Sequence, residues 1–463
     1  MIESHPHKNE NPGKVKTIPT ASTILGDGSL VEMLYRPDES RTYLCIFKHG
    51  SIQTETTVTD GDRHLVPYSV QNNLLAHEVV LFPSEPLEYG TEQDLVSAIR
   101  TFIHTYVDVS PLFETIASHY VLFSWVYDSF NELPYLRVRG DTGSGKTRCL
   151  MTVGSLCYKP IFASGASTVS PIFRILDSFQ GTLIVDEGDF RFSDEKAEIV
   201  KILNNGNARG FPVLRSEATN GGKEFDPRAY SVFGPKMIAT RNYFEDRALE
   251  TRCLTEETGG RKLRDDIPLN LDAEWKVRAL ELRNKLLMFR FRNHGTHHLD
   301  PATVDRTIEP RLAQVFGPLL SVIKEPIARD ALYQVAREYH RELISDRGAD
   351  MEAQILEVIR DILRSSADGQ VSIKEITDNF ASRYADEYDR RVTAKWIGSV
   401  VRRSLQLKTQ KSHGLFVLCP SEKLKLARLY EKYGITGPDE PASATADGQS
   451  SAPVDMGDIG DFP

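Results

Sequence analysis

The stretch YLRVRGDTGSGKTRCL, Tyr135 to Leu150, decides the reading of this chain. Leu136 and Val138 alternate with Arg137 and Arg139, the pattern of a short strand. Gly140, Gly143 and Gly145 then punctuate a turn, and Lys146 and Thr147 open a helix. The spacing is G-x-x-x-x-G-K-T, the phosphate-cradling P-loop. Glycines, with Ser144 among them, let backbone N–H groups curl around an anion without Cβ clashes. The helix N-terminus adds partial positive charge beneath it. Lys146 can reach the β- and γ-phosphates of ATP, and the Thr147 hydroxyl can ligate Mg2+.

Working outward, Gly181 to Asp189 reads GTLIVDEGD. Leu183, Ile184 and Val185 form the apolar run of a buried parallel strand. Asp186 and Glu187 close it. In a P-loop enzyme the first acid holds the metal shell, and the second orients or deprotonates the attacking water. Between these motifs, STVSPIFRILDSF reads as a helix capped by Ser167 or Thr168. After them, DEKAEIVKILNNG reads as another helix. Two strand-like runs then flank Asn220–Gly221–Gly222, a hairpin signal with Lys223 at its tip. A second buried strand, GPKMIAT, leads to Thr240, Arg241 and Asn242, and a short helix in EDRALETRCL leads to Arg252.

The flanks are simpler. Ser29 to Pro83 alternates in strand fashion, from LVEMLYR to HEVVLFP, and carries no catalytic constellation. Glu92 to Phe130 reads as helices, with Tyr120, Phe123, Trp125, Tyr127 and Phe130 as core. Asp272 to Asn293 reads as a strongly amphipathic helix. From Met351, three helices precede a hairpin, LQLKTQ–KSHG–LFVLC. That is the order of a winged helix. Arg390, Arg391, Lys395, Arg402, Arg403, Lys408 and Lys411 lie on its third helix and wing, a DNA-backbone footprint.

Composition agrees with a multidomain protein. The chain has 463 residues, 40% hydrophobic and 26% charged. Five scattered cysteines exclude a zinc ribbon or a disulfide framework and imply a reducing, cytoplasmic setting. No apolar run reaches membrane-span length. Net charge is −9, but six acids and no Lys or Arg lie in Thr436–Pro463. Residues 1–20 and 434–463 are therefore expected to be disordered, 21–88 a β-rich domain and 89–130 a helical linker region. Residues 131–262 are the expected P-loop core, 263–345 a helical lid region and 351–433 the winged helix.

The sequence of P-loop, Asp-Glu strand, hairpin, polar-ended strand and Arg252 resembles an AAA+ type core. It is similar to the ATPase module of mobile-element and phage replicative helicases and primase-helicases, including superfamily 3 and minichromosome-maintenance-like proteins. The resemblance implies an α/β P-loop NTPase with a helical region, a β-rich N-terminal domain and a C-terminal winged helix. It implies Mg2+-ATP hydrolysis, DNA as partner and a homo-oligomeric ring, a hexamer above all. Asn242 or Thr240 corresponds to the sensor that contacts the γ-phosphate or its water. Arg252 corresponds to an arginine finger, with Arg247 as alternative, and Arg311 to a second sensor. The implied function is an ATP-dependent DNA helicase or translocase. The other reading is an ATP-switched DNA-binding protein that unwinds nothing, such as a loader, initiator or transposition regulator. The tail MGDIGDFP resembles the acidic, Phe-containing tips of bacterial single-strand binding proteins, from which Pro463 departs, and suggests recruitment of a replication partner.

Overall fold

The computed structural model describes residues 16–186, 194–219, 224–244, 246–260, 263–348, 351–365, 370–384, 388 and 391–437. Glu187, the turn Asn220–Lys223, Arg390 and the acidic tail lie outside them. The chain divides into two compact units, residues 1–337 and 338–463.

The first unit begins with strands β1 (Lys16–Pro19), β2 (Ser22–Ile24), β3 (Leu30–Arg36), β4 (Arg41–Lys48), β5 (Ser51–Glu55), β6 (Val58–Asp60) and β7 (Arg63–Val66). β2 to β5 form an antiparallel meander, and β1, β7 and β6 a second small sheet. The turn between β4 and β5 is the pair His49–Gly50, with φ of 47° and 82°. Two positive φ values match the twist of a two-residue hairpin. β3 is buried along Leu30–Leu34, which takes Glu32 into the interior. His77–Pro83 does not form the expected strand. After the short α1 (Asn73–Ala76) it runs beside the core sheet, with Val80 in an isolated bridge to Ile161. The Phe162 N–H donates to the Val79 carbonyl at 2.9 Å, so this segment covers a sheet edge.

Helices α2 (Glu92–Tyr106) and α3 (Pro111–Trp125) follow. Thr91 and Asp94 form a capping box on α2, and Ser110 caps α3. The core then alternates strand and helix: β8 (Tyr135–Gly140), α4 (Lys146–Gly154), β9 (Ile161–Ala163), α5 (Val169–Phe179), β10 (Leu183–Val185) and α6 (Asp194–Asn205). The hairpin β11 (Val213–Thr219) and β12 (Glu224–Tyr230) comes next, then β13 (Lys236–Thr240), α7 (Arg247–Glu250) and β14 (Cys253–Thr258). Thr168 stands at the N-cap of α5 but makes no side-chain cap bond. Ile172, Phe173, Leu176 and Phe179 bury one stripe of that helix.

The five core strands are all parallel and ordered β14-β8-β13-β10-β9. This order fits an α/β P-loop type of core. β13 lies between the P-loop strand and the acid-bearing strand. Open α/β sheets bind ligands outside the carboxyl ends of their strands. Here those ends are Gly140, Thr240 and Val185.

Two residue sets have partners that the sequence does not announce. Arg137 and Arg139 of β8 are both buried. Arg137 grips Glu250 of α7 with both terminal guanidinium nitrogens, one at 2.6 Å, and its Nε donates to Thr255 Oγ1 at 3.0 Å. The helix α8 (Ala273–Asn293) is not the strongly amphipathic helix expected, because Arg283, Asn284 and Arg290 are buried with its apolar residues. Arg290 donates to Glu32 of β3 at 2.6 Å, to Asp128 at 2.7 Å and to the Trp125 carbonyl at 2.6 Å. Tyr158 donates to Glu32 at 2.7 Å, and His294 lies 3.2 Å from Asp128. A buried ionic node thus joins the N-terminal meander, the core and α8. Helices α9 (Pro310–Val322) and α10 (Pro326–Gly348) complete the region beyond α8.

The second unit packs α11 (Met351–Ser365), α12 (Ile373–Tyr384) and α13 (Ala394–Ser399) around Ile355, Ile359, Ile376, Phe380 and Ile397. The third helix does not stay regular. Val400–Ser404 widens into a π turn, with the Leu405 N–H on the Val400 carbonyl at 3.0 Å. β15 (Thr409–Ser412) and β16 (Leu415–Leu418) form a hairpin, again with a His–Gly turn at positive φ. A further helix, α14 (Lys423–Lys432), is absent from the sequence reading.

Candidate active site

The P-loop is fixed by contacts to β14. The Ser144 hydroxyl lies 2.8 Å from that of Thr258. A Cβ on Gly140 would stand 2.4 Å from the Thr258 carbonyl oxygen, which is backbone and cannot yield cheaply. Gly145 enters α4 at φ 87°, in the left-handed region where a side chain is strained. Gly140→Ala is therefore expected to push the loop off β14, costing about 1–3 kcal/mol of stability and weakening nucleotide binding. Thermal unfolding and a nucleotide titration check this, and unchanged values for both would refute the close-approach account.

Lys146 Nζ donates to the carbonyls of Gly140 and Asp141 at 2.7 and 2.6 Å, so the ammonium lies across the mouth of the loop. The Thr147 hydroxyl donates to Asp186 Oδ2 at 2.7 Å. Two hard oxygens, 39 residues apart in sequence, thus meet beside the start of α4. No group of three His, Cys, Asp or Glu side chains that could hold a metal ion occurs among the described residues. Mg2+ suits a pair of this kind, because it keeps waters and takes its remaining ligands from phosphates.

β13 delivers Thr240 between these motifs. Thr240 is buried, and its hydroxyl has no hydrogen-bond partner among the described residues. Asn242, two residues on, is exposed. The loop that follows is tied back: the Arg139 guanidinium lies over the Tyr243 ring at 3.3 Å, and the Phe244 N–H donates to Glu250 at 2.9 Å. The sequence reading did not assign this Arg137–Arg139–Glu250 linkage. Its only signal was two basic residues inside an otherwise apolar strand.

Arg252 occupies the other end of the sheet. Its carbonyl accepts from the Tyr135 N–H at 2.8 Å, at the start of β8, and its guanidinium bonds Asn204. Burial lowers its pKa, and Arg311 adds to the lowering. Arg311 donates to the Ala248 carbonyl at 3.1 Å, and Arg247 is exposed at the first turn of α7. At about 3.3 Å per residue, β8 holds Arg252 well away from the P-loop of its own chain.

In the second unit, Arg391, Lys395, Arg402, Arg403, Lys408 and Lys411 are exposed. Arg402 from the π turn and Lys411 from the hairpin each lie 5.7 Å from the ring of Phe416, itself half-exposed. Arg402 and Lys411 therefore share one surface around Phe416.

Solved helicase structures resemble the chain weakly. One is the C-terminal region of NrS-1, at 9% identity and TM-score 0.35, covering 84% of this chain and 96% of that one. A full-length MCM homolog from Methanopyrus kandleri shows 11% identity and TM-score 0.35, covering 67% and 76%. The SCCmec type IV Cch active helicase shows 12% identity and TM-score 0.32, covering 91% and 100%. Values this low decide nothing about function. No family model and no curated protein matches the chain.

Proposed function

We propose that this protein is an AAA+ type ATPase that acts on DNA as a helicase or translocase, serving replication of a mobile element or phage. The observation that carries the reading is the 2.7 Å bond between Thr147 and Asp186, with β13 inserted between their strands. This arrangement supports a site in which a γ-phosphate faces a lysine, a metal-binding hydroxyl, a carboxylate and a sensor at once.

In this reading the P-loop N–H groups and Lys146 bind the β- and γ-phosphates. Bound Mg2+ supplies Lewis-acid neutralisation of the phosphate charge. Thr147 and Asp186 hold and orient it, and Glu187, next in sequence, orients the attacking water and accepts its proton. Thr240 or Asn242 senses the γ-phosphate, and the Glu250 linkage carries that state to α7. Arg252 stabilises the transferring phosphoryl of an adjacent copy, which requires an oligomer, with a hexameric ring the natural closure. The hairpin β11–β12, with Lys223 at its tip, would grip DNA.

The second unit supports duplex binding in the manner of a winged helix. Arg402→Glu with Arg403→Glu should weaken duplex affinity and lower the slope of log affinity against log salt by about 1–2. Fluorescence anisotropy across a salt series measures both, and an unchanged slope would favour a protein partner for this face. The function itself is tested by strand separation on forked DNA with ATP. ATP turnover without separation of any fork would leave a DNA-binding switch as the better reading.

A further inference from the structure

Phe416 of β16 stands among the cations of the second unit. It is paired directly across the hairpin with Lys411, so the two side chains leave the sheet on one face. Arg402 arrives from the π turn. A Cβ on Gly398 would stand 2.9 Å from one terminal nitrogen of Arg402 and 3.1 Å from the other. The guanidinium therefore lies against the bare backbone of α13 at that glycine. The Arg402 guanidinium carbon and the Lys411 ammonium are each 5.7 Å from the centre of the Phe416 ring. That is close to the outer limit of about 6 Å for a cation–π contact, so neither cation sits tightly on the ring. Phe416 stays 47% exposed.

The surroundings carry one sign of charge. No Asp or Glu occurs in the sequence from Arg391 to Ser421, which spans α13, the π turn and the hairpin. An exposed aromatic ring between two cations is of little use to a continuous duplex. The duplex offers its phosphates to the cations, but its base faces are stacked inside and cannot meet the ring. An unpaired base has a free π-face. Stacked on Phe416 it would take the ring out of water, and its flanking phosphates would meet the cations. The arrangement of charge, ring and charge is thus matched to a nucleotide in a single strand.

We propose that Phe416 is a stacking platform for an unpaired DNA base, with Arg402 and Lys411 holding the phosphates on either side of it. The second unit then engages single-stranded DNA, or the open end of a fork, in addition to duplex backbone. The proposal rests on the DNA-binding reading of this unit and names the form of DNA that it takes. The cations supply affinity that falls with salt, and the ring supplies the preference for unpaired bases.

The test is fluorescence anisotropy of the full chain, without ATP, on three probes of equal phosphate number: a thymine single strand, an abasic single strand and a duplex closed by a hairpin. The abasic strand keeps the phosphates and lacks the bases. Phe416→Leu keeps apolar bulk and removes the π-face. It should weaken binding of the thymine strand about tenfold and leave abasic-strand and duplex affinities unchanged. Its salt slope should also stay the same, because no phosphate contact is lost. Phe416→Tyr keeps the ring and should bind all three probes like the parent. A strand carrying iodouracil should crosslink under ultraviolet light to the peptide that holds Phe416. Equal weakening of all three probes by Phe416→Leu would make the ring a mere support for the cations and overturn the platform. So would an unchanged affinity for the thymine strand, or a parent that binds the duplex alone; either result would leave the DNA-binding reading standing. A parent that binds none of the probes would refute that reading itself and leave this face to a protein partner.

Discussion

Lys146→Ala is expected to lower ATP turnover by at least about a hundredfold and to remove most nucleotide affinity. The side chain carries the charge that spans the loop mouth, on the carbonyls of Gly140 and Asp141. Truncation removes the phosphate's partner and also leaves those carbonyls without their ammonium. Asp186→Asn should separate metal from nucleotide. The amide keeps a contact to Thr147 but loses the charge that holds the metal shell, so binding survives better than turnover. A fluorescent nucleotide titration with and without Mg2+ distinguishes the two variants. Full turnover by purified Lys146→Ala would remove this loop from catalysis, and with it the reading of the site.

The largest effect on stability is expected at Arg290. Burial works against its charge, yet Tyr158, Glu32 and Asp128 hold its proton more tightly than usual. Burial also opposes ionisation of Asp128, but Arg290 and His294 outweigh it and keep the carboxyl below the ordinary carboxylate range. Arg290→Met leaves the buried Glu32 and the part-buried Asp128 without their guanidinium, with only Tyr158 and His294 as partners among the described residues, at a cost of about 3 kcal/mol. Adding Glu32→Gln and Asp128→Asn should recover part of that loss. The pH dependence follows from the lowered Asp128 value. Its contribution is fully present above the unfolded carboxylate pKa of about 4 and disappears as pH falls toward the folded value. Denaturation followed by tryptophan fluorescence is suited to this, because the Trp125 carbonyl belongs to the node. Stability of Arg290→Met equal to the parent's would show that the node is ornamental.

Much of the core was legible because local rules and tertiary context agree there. G-x-x-x-x-G-K-T needs the left-handed glycine and helix start it receives, and Leu183–Val185 is short, apolar and buried on both faces. The amphipathic stripe of α5 likewise buries the residues its period selects. What was not legible depends on partners distant in sequence. The alternation of Arg137 and Arg139 with apolar residues predicts a strand but not their burial, because nothing local announces Glu250, more than a hundred residues away. The pattern of α8 does not announce the burial of Arg290, because its partner Glu32 lies 258 residues earlier. His77–Pro83 has strand composition but finds only the edge of β9, where one bridge forms. The π turn at Val400–Ser404 follows a regular helical pattern in sequence, and its widened ladder has no compositional mark.

The insertion of β13 and β14 on either side of β8 also sets an order of events at the ribosome. Tyr135 pairs with Lys236 on one side and with Cys253 on the other, partners roughly a hundred residues downstream. At about 5–20 residues per second of synthesis, the phosphate-loop strand waits some 5–20 s after its own emergence for a neighbour on either flank. During that interval Leu136 and Val138 are an unpaired apolar strand, of the kind that chaperones retain. Ribosome-arrested chains ending before residue 236 should accordingly stay protease-sensitive around this strand. Those extending past residue 258, with the exit tunnel cleared, should not.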